Sequence, residues 1–182
     1  MTFEAAAQHL RDFYVLAGTG SAALVGLLFV GLSLHLRVVI AVAEVRSLAR
    51  FTLANFGLVL FASMFLVIEQ GRLTAGFQLI GSAIVTILVV IRSVIDVVRA
   101  GPQGLETTLG DRTRIILRFG SSAAGYLSVG AAGVLLVANQ IDLFTTVVEI
   151  AFVLLLVVAL RNTWDLLVTV GRISLEAEDQ KG

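Results

Sequence analysis

The chain alternates between five long apolar runs and short polar segments. A helix needs about 20 apolar residues, rising about 1.5 Å each, to cross roughly 30 Å of hydrocarbon. The pattern therefore predicts an all-α fold, a polytopic transmembrane helix bundle with five spans. We place the spans near Tyr14–Leu34, Phe51–Ile68, Leu73–Ile91, Phe119–Ala138 and Leu143–Leu160.

The segments around the runs complete this prediction. Residues 35–50 are half apolar and half charged, which suits either a continuation of the first helix or an interfacial helix. The sequence Gly-Pro-Gln-Gly at 101–104 ends the third helix, and Asp111 is a suitable N-cap for a fourth helix that starts before the membrane. A short amphipathic segment precedes the first run, and its apolar residues share one helical face: Phe3, Ala6, Leu10 and Phe13. We predict that this segment rests in the membrane interface.

The composition is that of a membrane protein. Hydrophobic residues make up 58% of the chain and charged residues 14%, and the mean hydropathy is +0.98. This is more apolar side chain than a soluble domain of 182 residues could bury. The 17 glycines and single proline fit long helices packed through small residues, whereas β-barrel strands need alternating polarity. The absence of cysteine excludes disulfides and thiolate-bound metals.

Basic residues favour one orientation. With the N-terminus outside, all but two of the 13 basic residues, Arg11 and Arg72, fall on segments at the inner side. Because basic residues collect on the cytoplasmic side of membrane proteins, this predicts an outside N-terminus and a cytoplasmic C-terminus. The same assignment gives the outer side an acidic character through Glu4, Asp12, Glu69, Asp142 and Glu149.

Two similar segments indicate an internal repeat. The pattern R-x-x-x-R-F occurs at 46–51 and 114–119, and each copy precedes a helical hairpin that ends in R-x-x-x-D. An even number of spans in each hairpin keeps both copies the same way up. A gapless shift of 69 residues also aligns a row with i, i+4 spacing, which places Ala54, Leu58, Ala62 and Leu66 on Ala123, Leu127, Ala131 and Leu135.

These features predict a single membrane domain over residues 1–182, possessing one leading helix and two tandem hairpins. Residues 1–50 hold the leading span and an interfacial segment, and the hairpin repeats occupy 51–99 and 114–172. Residues 173–182 are a polar tail, which we expect to be frayed from Glu176 onward. The alternative is that arginines gather at cytoplasmic helix ends and that the Ala and Leu matches arise by chance.

Two helices end in paired charges at the inner interface, Arg92 with Asp96 and Arg161 with Asp165. Each pair has i, i+4 spacing, so the aspartate offsets the charge of an arginine that extends toward the headgroups. The pairs are candidates for a gate or a docking surface. The plainer interpretation is a topological anchor.

Glu149 is the one ionisable residue clearly inside a span, about 9 Å below the outer edge by helical rise. A carboxylate at that depth is costly unless it faces water, contacts a partner or becomes protonated. We therefore treat Glu149, with Gln78 at a similar depth, as a candidate ion or proton site. The alternative is a glutamate near the headgroups that hydrogen-bonds a neighbouring helix.

Small residues concentrate on the first and fourth spans. They permit close approach of helix backbones, so both helices are expected to be central, packed against each other or against another subunit. The candidates for helix packing are Gly18, Ala22, Gly26, Gly125, Gly130 and Gly133.

No arrangement of residues suggests an enzyme. Ser121 and Ser122 have no histidine at membrane depth, and no His/Glu cluster has the spacing of metal ligands. Acids interspersed among the inner basic residues disfavour nucleic-acid binding. We therefore expect no catalytic residue, no metal and no cofactor.

The stretch from Phe13 to His35, FYVLAGTGSAALVGLLFVGLSLH, resembles the opening of small, largely uncharacterised bacterial membrane proteins. Some of these carry an automatic label as modulators of a membrane AAA protease. The resemblance covers mainly the first span and carries no catalytic or ligand-binding motif. It implies a multi-pass accessory protein of the bacterial inner membrane.

The sequence leaves three functions open. The first is a non-enzymatic, homo-oligomeric pore or ion channel of the plasma membrane, whose acidic outer side favours cations. The second is an accessory or regulatory subunit of a larger membrane complex, docked through its inner arginines. A secondary transporter is third, because five spans are few and none is visibly broken at midplane. The inner arginines also leave a bound lipid open as the ligand.

Overall fold

The computed structural model describes residues 2–99 and 109–179, and this part of the chain is helical and contains no strand. Five of its helices are long and apolar enough to cross a membrane, which confirms the predicted five-span bundle. The helices are α1 (Phe3–His9), α2 (Arg11–Leu34), α3 (Leu36–Ala41), α4 (Ala43–Val67), α5 (Arg72–Arg99), α6 (Leu109–Val137) and α7 (Ile141–Asp179).

Four of the spanning helices form a ring. The hairpin α4–α5 lies beside the hairpin α6–α7, with α5 packed against α6 and α7 packed against α4. Helix α2 lies outside the ring and packs mainly against α4. In the most apolar stretch of α4, 50% of the residues are buried, compared with 28% in α2. Helix α4 is thus the most buried span, and α2 does not pack closely against α6 in the described part of the chain; packing of α2 against another subunit stays a prediction.

The two ends of the bundle carry different charges. The hairpin turns lie at one end with Glu69 and Asp142, and we call this the acidic end. The opposite end, the basic end, carries the described arginines Arg46, Arg50, Arg92, Arg161 and Arg172. Helix α7 has 39 residues, or about 58 Å, and therefore extends well past the roughly 30 Å of hydrocarbon.

Helix α1 accounts for the amphipathic N-terminal pattern. The hydroxyl oxygen of Thr2 accepts a hydrogen bond of 3.3 Å from the backbone N–H three residues on and so caps the helix. Leu10 is buried, and the ring centroids of Phe3 and Phe144 lie 6.4 Å apart. The apolar face of this piece thus packs against α7. Its predicted position in the membrane interface stays a prediction.

The segments outside the spans agree only in part with the predictions. Of the two alternatives for residues 35–50, continuation of the first helix is excluded, because the short helix α3 separates α2 from α4; an interfacial position stays a prediction. Asp111 lies inside the first turn of α6 and is not its N-cap. Helix α7 continues to Asp179, so the tail predicted to fray from Glu176 is helical to that point. The predicted helix end at 101–104 lies outside the described residues.

The turn between α6 and α7 ends α6 in a left-handed conformation. Asn139 has a φ of 64°, its N–H donates to Leu136 O at 3.2 Å, and the next N–H bonds back five residues at 2.9 Å. Arg72 of α5 donates to the carbonyls of Leu136 at 2.8 Å and Val137 at 3.1 Å. This arginine thus places its charge at the negative end of the α6 dipole.

Candidate functional site

A hydrogen-bonded polar cluster joins α4 to α6 across the ring. The side-chain amide of Asn55 donates to Ser122 Oγ at 3.3 Å, and the hydroxyl of Tyr126 donates to Asn55 Oδ1 at 2.5 Å. All three side chains are almost fully buried. Because the amide has partners on both its oxygen and its nitrogen, the cluster fixes how the two diagonal helices face each other.

Apolar side chains fill the ring around this cluster. They come from all four of its helices and are fully buried, as shown by Val59, Leu79, Val129, Leu136, Phe144, Val148 and Leu155. Packed aliphatic and aromatic side chains do not supply the polar lining that ion conduction needs. Within the described residues, a path for ions would have to run between copies of the chain and not through this ring.

An open groove with a volume of about 630 Å³ runs between α4 and α5 on the outer side of the ring. This volume lies within the range of ligand-binding pockets. Gly57 and Gly81 belong to its lining, and a Cβ atom added to either would meet nothing within 4 Å, so both border open space. The groove extends from Phe65 and Gln78 toward the acidic end to Arg50 at the basic end.

Gln78 lies in this groove and is tied to the hairpin turn. Its side-chain oxygen accepts a hydrogen bond of 2.6 Å from Gln70 Nε2, which also donates to Phe65 O at 2.6 Å. The amide of Gln78 is therefore half-buried and held in place by its own hairpin.

Glu149 lies elsewhere, half-buried on α7 on the side near Tyr14 of α2. Tyr14 is buried, and among the described residues its hydroxyl has no hydrogen-bond partner. The structure thus places Gln78 and Glu149, which the sequence combined as one candidate ion or proton site, in two different environments.

The predicted charge pairs lie at the basic end. Arg92 on α5 and Arg161 on α7 are both exposed, and Asp165 is half-buried one turn after Arg161. Asp96 belongs to α5, but its side chain lies outside the described part of the structure. The exposure of both arginines is compatible with contact to lipid headgroups.

The small residues of α6 lie at helix contacts. A Cβ on Gly125 would lie 2.5 Å from the Leu155 side chain, and one on Gly133 would lie 2.8 Å from the backbone oxygen of Gly76. A Cβ on Gly130 would lie at an ordinary 3.5 Å from Ala83. Helices α5 and α6 therefore approach each other backbone to backbone.

The small residues of α2 divide between two surfaces. Gly18 faces α4, where an added Cβ would lie 3.0 Å from Ser63 Cβ. Ala22 and Gly26 are exposed, and a Cβ on Gly26 would meet nothing within 4 Å. Within this single chain, therefore, Ala22 and Gly26 do not take part in the helix packing expected of them.

The two glycines that line the groove were not singled out from the sequence. Gly57 and Gly81 lie at nearly equal distances on either side of the turn near Gln70, and antiparallel helices place such positions opposite each other. This spacing, read together with the cost of glycine inside a helix, is the signal that could have revealed the groove.

The five apolar helices make this chain an integral membrane protein. No protein-family model, curated protein or solved structure matches it.

Proposed function

We propose that the protein is non-enzymatic and self-associates through the outer face of α2, and that its copies together form a pore for small cations. The observation that carries the proposal is a surface of small residues that no described part of the chain covers. This surface is exposed and consists of Thr19, Ala22, Ala23 and Gly26. Small residues at such spacing let two membrane helices approach closely.

Glu149 gives the proposal independent support. It lies in the span of α7 beside the start of α2, and it is only half-buried by its own chain. A carboxylate at this depth is costly in contact with lipid, and a water-filled path between copies would solvate it. Because the ring is filled, such a path belongs at the boundary between chains.

Crosslinking of single cysteines tests the self-association. The natural chain has no cysteine, so Gly26→Cys yields a protein with one thiol. Leu127→Cys is the control, because Leu127 is 65% exposed on α6. Oxidation in native membranes should convert Gly26→Cys into a dimer and leave Leu127→Cys monomeric. Equal yields from the two variants would reject the α2 contact.

Ion flux tests the pore separately. Liposomes that contain the protein should pass K⁺ faster than protein-free liposomes, and Glu149→Gln should reduce that flux severalfold. Flux no greater than that of protein-free liposomes would reject the pore while leaving self-association intact.

The second candidate is an accessory subunit of a larger membrane complex. The basic end favours it, because α7 extends beyond the membrane thickness and Trp164 near that end is 70% exposed. Trp164→Ala should release a partner that copurifies stoichiometrically with the natural chain. Phe77→Ala, at a side chain 63% exposed on α5, should not. A partner retained by both variants would place the contact elsewhere.

A further inference from the structure

A second cavity lies at the acidic end of the bundle, and we call it the α1 cleft. It has a volume of about 580 Å³ and lies between α1 and the turn that joins α4 to α5. Pockets of this size hold small molecules. Its floor is apolar and includes half-buried Phe3 and buried Leu66. Most of the lining belongs to α1 and to the turn after Val67, outside the candidate spans, so a ligand can enter from water.

Three charged side chains reach the α1 cleft from three different parts of the chain. Glu4 comes from α1, Arg11 from the start of α2 and Glu69 from the hairpin turn, and all three are exposed. Among the described residues, no ion pair joins the guanidinium group to either carboxylate. Two carboxylates against one guanidinium give the lining a net negative charge, which favours a ligand with a cationic group. The guanidinium offers paired hydrogen bonds to an anionic group on the same ligand.

Two amides add neutral hydrogen-bonding groups to the α1 cleft. Gln8 follows Glu4 by four residues, a spacing that places both on one face of α1. The side-chain nitrogen of Gln70 donates to Phe65 O and to Gln78 Oε1, each at 2.6 Å, so the Gln70 side-chain oxygen is left to accept. An ammonium group carries three N–H donors, and the two carboxylates and this oxygen supply acceptors for them.

We propose that the α1 cleft binds a free α-amino acid with an apolar side chain. The ammonium group of the ligand lies between Glu4 and Glu69, its carboxylate lies against Arg11, and its side chain packs on the floor beside Phe3 and Leu66. This site does not depend on self-association through α2 or on a pore, because the surface of small residues on α2 contributes nothing to the lining.

Three related probes test the proposal on the natural chain. Leucine carries both charged groups, leucinamide lacks the carboxylate, and isocaproate lacks the ammonium group. Isothermal titration calorimetry measures their binding to the full chain in phosphatidylcholine nanodiscs. Leucine should bind saturably and leucinamide about tenfold more weakly, whereas the net negative lining should exclude isocaproate. The proposal is wrong if leucine shows no saturable binding or if isocaproate binds as tightly as leucine.

Charge variants assign each group of the ligand to its partner. Glu4→Gln should weaken leucine binding about tenfold, and its control is Asp12→Asn, at an exposed acid outside the lining. Arg11→Gln should lower the affinity for leucine to that for leucinamide, whereas the exposed Arg172 at the basic end supplies the control Arg172→Gln. Both controls should bind leucine as the natural chain does. Equal affinities of Glu4→Gln and Asp12→Asn for leucine would contradict the proposal.

A variant that fills the α1 cleft tests where the ligand lies. Gly71 lines the cleft, and a Cβ added there would meet nothing within 4 Å, so Gly71→Leu places a side chain in open space. Gly171→Leu is its control, because a Cβ on Gly171 also meets nothing within 4 Å. Gly71→Leu should lose leucine binding, and Gly171→Leu should keep it. Equal binding by the two variants would overturn the proposal.

A lipid headgroup could offer similar chemistry, because phosphatidylethanolamine also joins an ammonium group to an anionic group. Native mass spectrometry of the natural chain from nanodiscs that contain this lipid separates the two sources. We expect leucine to bind whether or not phosphatidylethanolamine is present. Retention of the lipid together with a loss of leucine binding would assign the cleft to the headgroup and overturn the proposal.

Discussion

The hairpins α4–α5 and α6–α7 bury side chains at corresponding positions. In the first helix of each hairpin, an offset of 70 residues pairs buried residues of similar size, namely Phe56 with Tyr126, Val59 with Val129, Ala62 with Ala132 and Leu66 with Leu136. In the second helix an offset of 69 pairs Ala75, Leu79 and Ala83 with Phe144, Val148 and Phe152. Each hairpin therefore turns an equivalent face toward the ring.

The outer faces of the two hairpins differ. By the same offsets, Gly57 corresponds to Leu127 and Gly81 to Ile150, whose side chains are 65% and 62% exposed. Large side chains thus occupy in the second hairpin the positions that are open in the first. Packing constrains the inner faces of both hairpins, whereas the outer faces are free to differ, and the groove is a property of one hairpin alone.

The tandem repeat stays a prediction, but burial changes its alignment. The gapless shift of 69 pairs Leu58 with Leu127 in the first helices, and these side chains are 2% and 65% exposed. One of these residues is therefore buried and the other exposed, so a shift of 70 replaces the shift of 69 in the first helices. Because the second helices keep the shift of 69, the turn of the second hairpin is one residue shorter than the turn of the first.

The largest loss of stability should come from a substitution on the inner face, where α5 and α6 approach each other closely. In Gly133→Leu the new Cβ would meet Gly76 O at 2.8 Å and Ile80 N at 3.0 Å, and backbone atoms cannot move aside. We expect a loss of about 3 kcal/mol or more in the free energy of unfolding, or failure to fold.

The outer face supplies the matched control for this substitution. Gly57→Leu introduces the same side chain into open space and should change the stability by about 1 kcal/mol or less. Denaturant unfolding in one detergent compares the variants. Equal unfolding midpoints for Gly133→Leu and Gly57→Leu would show that Gly133 is packed no more tightly than Gly57.

A smaller effect should come from the polar cluster between the two hairpins. Its Asn55, from the first hairpin, has no polar counterpart in the second, because Gly125 stands at the equivalent position. Asn55→Ala leaves the Tyr126 hydroxyl and Ser122 without their amide partner, and should cost about 2 kcal/mol. Tyr126→Phe in the same chain should recover part of that loss, which a double-mutant cycle measures. Additive losses would mean that the two side chains are not coupled.

The number of spans could be predicted well from the sequence, whereas the side of each helix that packs inside the bundle could not. The reason is physical. Span number and depth depend on length, which about 1.5 Å of rise per residue fixes within narrow limits. The side that packs inside depends on the rotation of the helix about its axis, and successive side chains differ by about 100° around that axis. For this reason Gln78 and Glu149 have similar predicted depths but different neighbours, and Ala22 and Gly26 turn outward although Gly18 turns inward.

The smallest effect should distinguish the two hairpin turns. The first turn is tied by the Gln70 side chain, whereas the second relies on the left-handed backbone of Asn139, with a φ of 64°. Asn139→Ala should cost about 1 kcal/mol, because alanine tolerates this conformation less well than asparagine. Asn139→Gly is the control and should cost less than alanine, because glycine adopts a positive φ without strain. If Asn139→Ala unfolds at the same temperature as Asn139→Gly or at a higher one, the left-handed backbone does not hold the second turn. The two turns would then differ only in their side chains.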